Sequence, residues 1–337
     1  MISIHNTFDP LKEVILGDVD MSMIALRDEK KQRKIKHVFQ QTKEDFDKFQ
    51  SLLHSHGVKV HRPSPMPITE IKTPYWSLPG TKIPLSPRDL YLVLGDTVVE
   101  SAMCEPVRFF ETFYYRDIMI EQFRQGASWL AMPMVRHNYE DSDWGPDGTL
   151  VPNNDPIMDA PSVMKYGQDL FVNTVGAGNQ LGLEWLRKHF TQYTIHEMNN
   201  PMISGHLDSQ LNILRPGLIM TPYDVSLLPE YFRDWDVIHV DTAKDRSMSD
   251  SQQLVDSRVQ DDDFVNSNLV VNCLSLDPDT VIMFDHYKDQ DRILGELDDR
   301  DIRVLFTPMT YSHFFNQGVT CLTLDLHRQG PGMVRYQ

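Results

Sequence analysis

Short apolar runs recur along the chain, bounded by turn residues and separated by stretches of helical spacing. In DLYLVLGDTVVES (89–101) two β-rich runs flank a Gly-Asp turn, as a hairpin would. VRFFETFYYRDIMIEQFRQG follows with helical spacing and stops at Gly126, and SWLAMPMV then reads as a strand. The order repeats in YGQDLFVNTV, the helix GNQLGLEWLRKHF and the strand YTIHEM. It repeats again in HLDSQLNILRPGLIMTP, with its Pro-Gly turn, followed by the helix LPEYFRDW and the strand DVIHV. LVVNCLSLDPDTVIMF, YKDQDRILGELDD and IRVLFTP make a fourth strand-strand-helix-strand unit.

A fifth unit can be assembled from the two ends of the chain. GVTCLTLDL (318–326) supplies one strand and EVILG (13–17) the next. The helical stretch from Asp28 to His56, ended by Gly57, and VKVHRP complete it. A ring closed by its own termini leaves no long sheet edge exposed, which is a physical reason to favour closure. With no low-complexity segment or long linker, the pattern predicts one compact α/β domain over residues 1–337.

Composition narrows the partners. The 337 residues carry a formal net charge of −16, which argues against nucleic acid or an anionic membrane and is compatible with a cationic small molecule. Much of that charge reads as ordinary solubilising surface, and the run Asp261, Asp262, Asp263 as a solvated loop. No apolar run is long enough to span a membrane, and MISIHNTFDPLKE lacks the basic start and apolar core of a signal peptide. The three cysteines, Cys104, Cys273 and Cys321, do not make a disulfide framework, so a reducing cytoplasm is the expected home.

Several motifs fail on a specific residue. GAGNQLG has Leu181 where a dinucleotide loop needs its third glycine. DHYKDQD lacks the glycine of an EF-hand turn, and HEMNN has no second histidine for a zinc helix. There is no GK[ST] phosphate loop and no GxSxG elbow, so neither a metal nor a nucleotide cofactor is expected.

What remains is a set of polar residues at the ends of predicted strands. His206 and Asp208 lie two apart in GHLDSQLN, so on a strand both would face the same way. Asp155 and Asp159 lie just ahead of one hairpin and Asp89 at the start of another. In a closed ring of repeated units, equivalent strand ends converge on the axis. A thiol that attacks as thiolate, a histidine that moves protons both ways and carboxylates that grip a planar guanidinium suit attack on a guanidine carbon. Each residue also has an ordinary reading: Cys321 as core filler in an apolar strand, His206 as a strand-end histidine, Asp89 and Asp159 as turn or cap residues.

The chain resembles the amidinotransferase family, typified by glycine amidinotransferase and the inosamine-phosphate amidinotransferases. FDPLKEVILG, SPRDLYLVLGDTVVES with RFFETFYYR, PIMDAPSVMKYGQDLFVN, GLEWLRKHF, HLDSQLNILRPGL and GVTCLTLDL carry the resemblance in order, over nearly the whole chain. It implies a five-bladed pseudo-symmetric α/β propeller. It also implies Cys321 as nucleophile, His206 as general acid/base, Asp159 as its carboxylate partner, and Asp89 and Asp208 as holders of the donor guanidinium. The implied substrates are L-arginine or another guanidine and an amine acceptor, with no cofactor; a homodimer is the partner the family suggests. The chain departs from the pattern at Val225, where the glycine enzyme has a carboxylate-binding arginine, at Val265 and Asn266 in place of a serine pair, and at the thinned NQGVT. These departures point to a non-amino-acid acceptor in a specialised pathway. The alternatives are a guanidine hydrolase, in which water attacks the same intermediate, and a non-catalytic propeller that binds a partner.

Overall fold

The computed structural model describes residues 2–19, 29–66, 70–74, 77–78, 82–136, 143–144, 150–151, 155–240, 267–285 and 290–336. Five three-stranded sheets form the body of the protein, beside two short two-stranded ribbons. Each of the five has an antiparallel hairpin whose second strand pairs in parallel with a third. In chain order from the first complete unit they are Tyr91–Leu94, Thr97–Glu100 and Ser128–Ala131; Val163–Tyr166, Asp169–Asn173 and Thr194–Met198; Asn212–Arg215, Leu218–Thr221 and Asp236–His239; and Leu274–Asp277, Thr280–Phe284 and Arg303–Thr307. The fifth joins the ends of the chain: Thr323–Arg328 pairs antiparallel with Leu11–Leu16, which pairs in parallel with Lys59–His61. The architecture is the five-bladed α/β propeller implied by the repeats.

Burial explains the order of strands within a blade. The hairpin strands are almost wholly apolar and enclosed, as in Tyr-Leu-Val-Leu at 91–94 or Thr-Val-Ile-Met-Phe at 280–284, which suits strands covered on both faces. The third strands, such as Ser128–Ala131 and Arg303–Thr307, are less enclosed, with exposed and half-buried residues, and form the rim. The helix Glu29–Ser55 closes the fifth blade by its spacing: Val38, Phe39, Phe46, Phe49 and Leu53 lie on one face and are buried with Leu11, Val14 and Leu16. Each buried aromatic contributes roughly 1.5–3 kcal/mol of apolar transfer. The helix ends where Gly57 takes a left-handed φ of 75°, and the amide of Val58 returns to the carbonyl of Leu53.

Two predicted helices are altered. LPEYFRDW (228–235) forms a single 3-10 turn, Glu230–Phe232, entered from Pro229 and preceded by another at Val225–Leu227, because the stretch is too short to propagate a helix. The aromatic stretch of the first unit opens as two 3-10 turns, Pro106–Arg108 and Glu111–Tyr115, and becomes α-helical only over Arg116–Arg124. Hydrogen bonds from the Tyr91 hydroxyl to the Thr112 carbonyl and from the Tyr115 hydroxyl to the Pro84 carbonyl hold that tighter path. Val265, Asn266 and the acidic run at 261–263 lie outside the described residues. Among the described residues no helix is long and apolar enough to cross a membrane.

Candidate active site

Each blade enters its first strand through a short turn, and these turns deliver the candidate groups. Asp89 lies in the four-residue helix Pro87–Leu90, directly ahead of Tyr91. Asp159 precedes the 3-10 turn Ala160–Ser162 of the second blade. His206 precedes the 3-10 turn Leu207–Ser209 of the third, and Asp208 lies within it. Cys321 stands just ahead of Thr323–Arg328 in the fifth. The strand expected for His206 and Asp208 is therefore a turn, closed by the Gln210 amide on the Leu207 carbonyl, with ladder pairing starting only at Asn212. Cys321 likewise stands in the turn before its strand rather than inside it. Asp155 takes no part in this cluster and pairs with Arg136 at 3.0 Å.

The cluster is closely connected. His206 Nε2 lies 3.0 Å from Asp159 Oδ2, and His206 Nδ1 lies 3.8 Å from Asp89 Oδ1. The Cys321 thiol points at Asp208 Oδ2 across 3.8 Å. Asp89 is enclosed and its Oδ1 has no hydrogen-bond partner among the described residues, an acceptor left open within the site. About a quarter of the His206 side chain is exposed, whereas Cys321 is buried. The five side chains thus converge on one place, with the imidazole the partly exposed member.

Residues outside the sequence-derived set hold this arrangement. The fourth blade contributes Asn272, whose Nδ2 donates to Cys321 Sγ at 3.3 Å and whose Oδ1 accepts from the Cys321 amide at 3.2 Å and the Thr320 hydroxyl at 2.7 Å. Gly318 permits this approach, since a Cβ there would stand 2.4 Å from the Asn272 side chain. Cys104 fixes Asp159: its amide donates to Oδ1 at 2.9 Å and its thiol to Oδ2 at 3.2 Å. Asn173 donates to the carbonyls of Ile203 at 3.0 Å and Gly205 at 2.8 Å, tying down the segment that leads into His206. Arg108 grips Glu111 through two hydrogen bonds, at 2.7 and 3.1 Å, and Asp89 Oδ2 through a third at 2.5 Å. Removing one partner from such a buried network typically costs ~3–5 kcal/mol. Asn272 was legible in principle, because it occupies the strand-entry position of the one blade to which no candidate had been assigned.

Electrostatics divides the groups. Burial alone would raise the Asp89 carboxyl, but Arg108 and His206 outweigh it and hold the group below its usual range. Burial wins at Asp208, whose carboxyl is raised despite Arg88 and His206. Burial would lower the His206 imidazole, yet Asp89 and the hydrogen bond to Asp159 push it up to about 9. The Cys321 thiol is pushed well up by burial and then by Asp208 and Asp89. These shifts favour an imidazolium at neutral pH and disfavour the free thiolate. Among the described residues no group of histidine, cysteine and carboxylate side chains is arranged to hold a metal ion.

Comparison with known proteins was informative at the level of individual relatives, whereas no family model matches the chain. It is similar to inosamine-phosphate amidinotransferase 1 of Streptomyces griseus, at 30% identity over 97% of each chain. It is also similar to the L-arginine:L-lysine amidinotransferase of Pseudomonas savastanoi pv. phaseolicola, at 28% identity over 86% of this chain and 79% of the other. The solved structure of SxtG, an amidinotransferase from Microseira wollei in the saxitoxin biosynthetic pathway, superposes with a TM-score of 0.80 at 26% identity, covering 100% of this chain and 99% of that one. Identity of this degree over the full length, on the same five-bladed fold, establishes the family. The chain belongs to the amidinotransferase family and is a transferase.

Proposed function

We propose that the protein moves the amidino group of L-arginine, through a covalent amidino-Cys321, to an amine acceptor in a specialised biosynthetic pathway, releasing ornithine. The observation that carries this reading is the convergence of five groups: the His206–Asp159 pair at 3.0 Å, the Cys321 thiol 3.8 Å from Asp208, and the open Oδ1 of Asp89. A guanidinium lying between Asp89 and Asp208 would present its carbon to Cys321 and its substituted nitrogen toward His206. Its positive charge offsets the two carboxylates that add to burial in holding the thiol up. Once the donor is in place, Cys321 can release its proton to solvent and attack as thiolate, with the bond from the guanidine carbon to the ornithine nitrogen breaking.

The imidazole then serves both half-reactions. With its pKa near 9, His206 is protonated at neutral pH and can give its proton to the departing ornithine nitrogen. Left neutral, and still oriented by Asp159, it can take a proton from the acceptor amine as that amine attacks the amidino carbon. Cys104 and Asn173 support the step by fixing the carboxylate and the histidine segment.

The acceptor is the part least like glycine. Val225 opens a 3-10 turn and packs against the cluster around Phe8, Leu228 and Phe232, so it brings no positive charge for an amino-acid carboxylate. The relatives include enzymes for inosamine phosphate, lysine and glycine, so the absence of a cation at Val225 is what favours an acceptor other than glycine. The three cysteines are all buried and free, in keeping with a reducing cytoplasm. Incubation with arginine alone tests the assignment. Ornithine release with a stable adduct on Cys321 is the expected result; citrulline without any acceptor would instead mean a guanidine hydrolase.

A further inference from the structure

The two carboxylates that face Cys321 are not held alike. Asp89 is clamped by Arg108, which donates at 2.5 Å and is itself locked by Glu111. Asp208 has no such clamp: among the described residues its one ion pair with an arginine is to Arg88, whose Nε lies 3.8 Å from Asp208 Oδ2, the same oxygen that faces the Cys321 thiol at 3.8 Å. Arg88 is 6% exposed, and its enclosed Nε has no hydrogen-bond partner among the described residues. An arginine buried this way, with one carboxylate within reach and an unpartnered Nε, is a costly feature to keep for packing alone.

We infer that Arg88 is a positioning residue of the guanidine site, acting through Asp208: its buried charge keeps Asp208 an ionised acceptor aimed at the space beside Cys321. The inference rests on the amidinotransferase reading given above. The groups that face Asp208 support it from every side. Arg88 and Asp89 come from the first blade, His206 and the Ser209 hydroxyl from its own turn, Asn272 from the fourth blade and Cys321 from the fifth. Burial raises the Asp208 carboxyl, and Arg88 is the largest influence opposing it. Lys165 is buried, and burial first and then the charge of Arg88 disfavour its ammonium, with Asp325 acting the other way. The chain order is economical: Arg88 and Asp89 are neighbours on one short helix, so a single turn supplies one guanidine-binding carboxylate and the cation that maintains the other.

The sign of the effect is fixed by the chemistry. A cationic donor binds the ionised carboxylate, so protonating Asp208 weakens binding on the acid side. Without Arg88 the proton is taken up at higher pH. The test is the pH profile of kcat/KM for arginine in Arg88→Met and Arg88→Lys. Arg88→Met should move the acid limb up by about one pH unit, a tenfold loss at a fixed acidic pH. At alkaline pH it should return to within a few-fold of the unmodified protein with kcat little changed, and Arg88→Lys should restore most of the acid limb. On an Asp208→Asn background Arg88→Met should add nothing to the pH dependence, because the titrating group is gone. A uniform loss at every pH, or an unshifted limb, would overturn the inference and leave Arg88 a structural residue. If the unmodified protein forms no amidino-Cys321 with arginine, the functional reading itself fails, and that result is separate from any change in the limb.

Discussion

Two cysteines of this protein sit in almost the same words: Val-Asn-Cys-Leu-Ser-Leu-Asp at 271–277 and Val-Thr-Cys-Leu-Thr-Leu-Asp at 319–325. Both open the first strand of a blade, both are buried, and both receive a hydrogen bond at 3.3 Å from an asparagine amide of the preceding blade, Asn212 for Cys273 and Asn272 for Cys321. Their surroundings differ. Cys273 belongs to the apolar cluster around Leu274, Val281 and Phe284, and burial alone pushes its thiol to about 12. Cys321 faces Asp208 and Asp89, with His206 against the same carboxylates. The pseudo-symmetry thus supplies two equivalent thiols, and only the side chains brought in by other blades make one of them a candidate nucleophile. Reactivity here is a property of what converges, since the local strand is shared.

That contrast can be broken most sharply at the thiols themselves. Cys321→Ala should abolish amidino transfer, on the order of 10⁴-fold or more, while arginine binding, measured calorimetrically, persists. The proposed proton carrier comes next: His206→Asn or Asp159→Asn should slow single-turnover ornithine release by roughly 10²–10⁴-fold, read by rapid quench. The pH dependence of that step follows from the imidazole. Because His206 is raised to about 9, proton donation to ornithine should fall as pH rises through about 9. The same pairing favours the folded state: its contribution is complete below the ordinary histidine value of about 6.5 and disappears through the raised value, so thermal stability should decline across that alkaline window. Smallest of all, Cys273→Ala should leave transfer unchanged and cost ~1 kcal/mol in denaturant unfolding, for lost packing in the core. A large loss of transfer in Cys273→Ala would mean that the two thiols are not functionally distinct.

Much of the fold was legible because the blade is a strong repeating signal. Apolar hairpins, an intervening amphipathic stretch and a third strand recur, and GVTCLTLDL could be matched to EVILG across the whole chain. The 3-10 turns were not legible at the level of hydrophobic period. Pro229 and the buried tyrosines decide them through local geometry and long-range hydrogen bonds. The five candidate side chains are gathered at blade entries as the convergence argument requires, although His206 and Asp208 reach the site from a turn rather than along a strand. The supporting groups were hidden for different reasons. Cys104 and Arg108 act on Asp159 and Asp89 across long sequence separations, 55 and 19 residues, which no local pattern reports. Asn272 stood in plain view beside Cys273, but its partner is a thiol 49 residues away.

The most direct measurement is mass spectrometry of the intact protein after exposure to arginine, followed by peptide mapping. A single added amidino group on the peptide containing Cys321, released when a competent amine is supplied and absent in Cys321→Ala, is the predicted result. An adduct on Cys273 or Cys104, or transfer that persists in Cys321→Ala, would contradict the account.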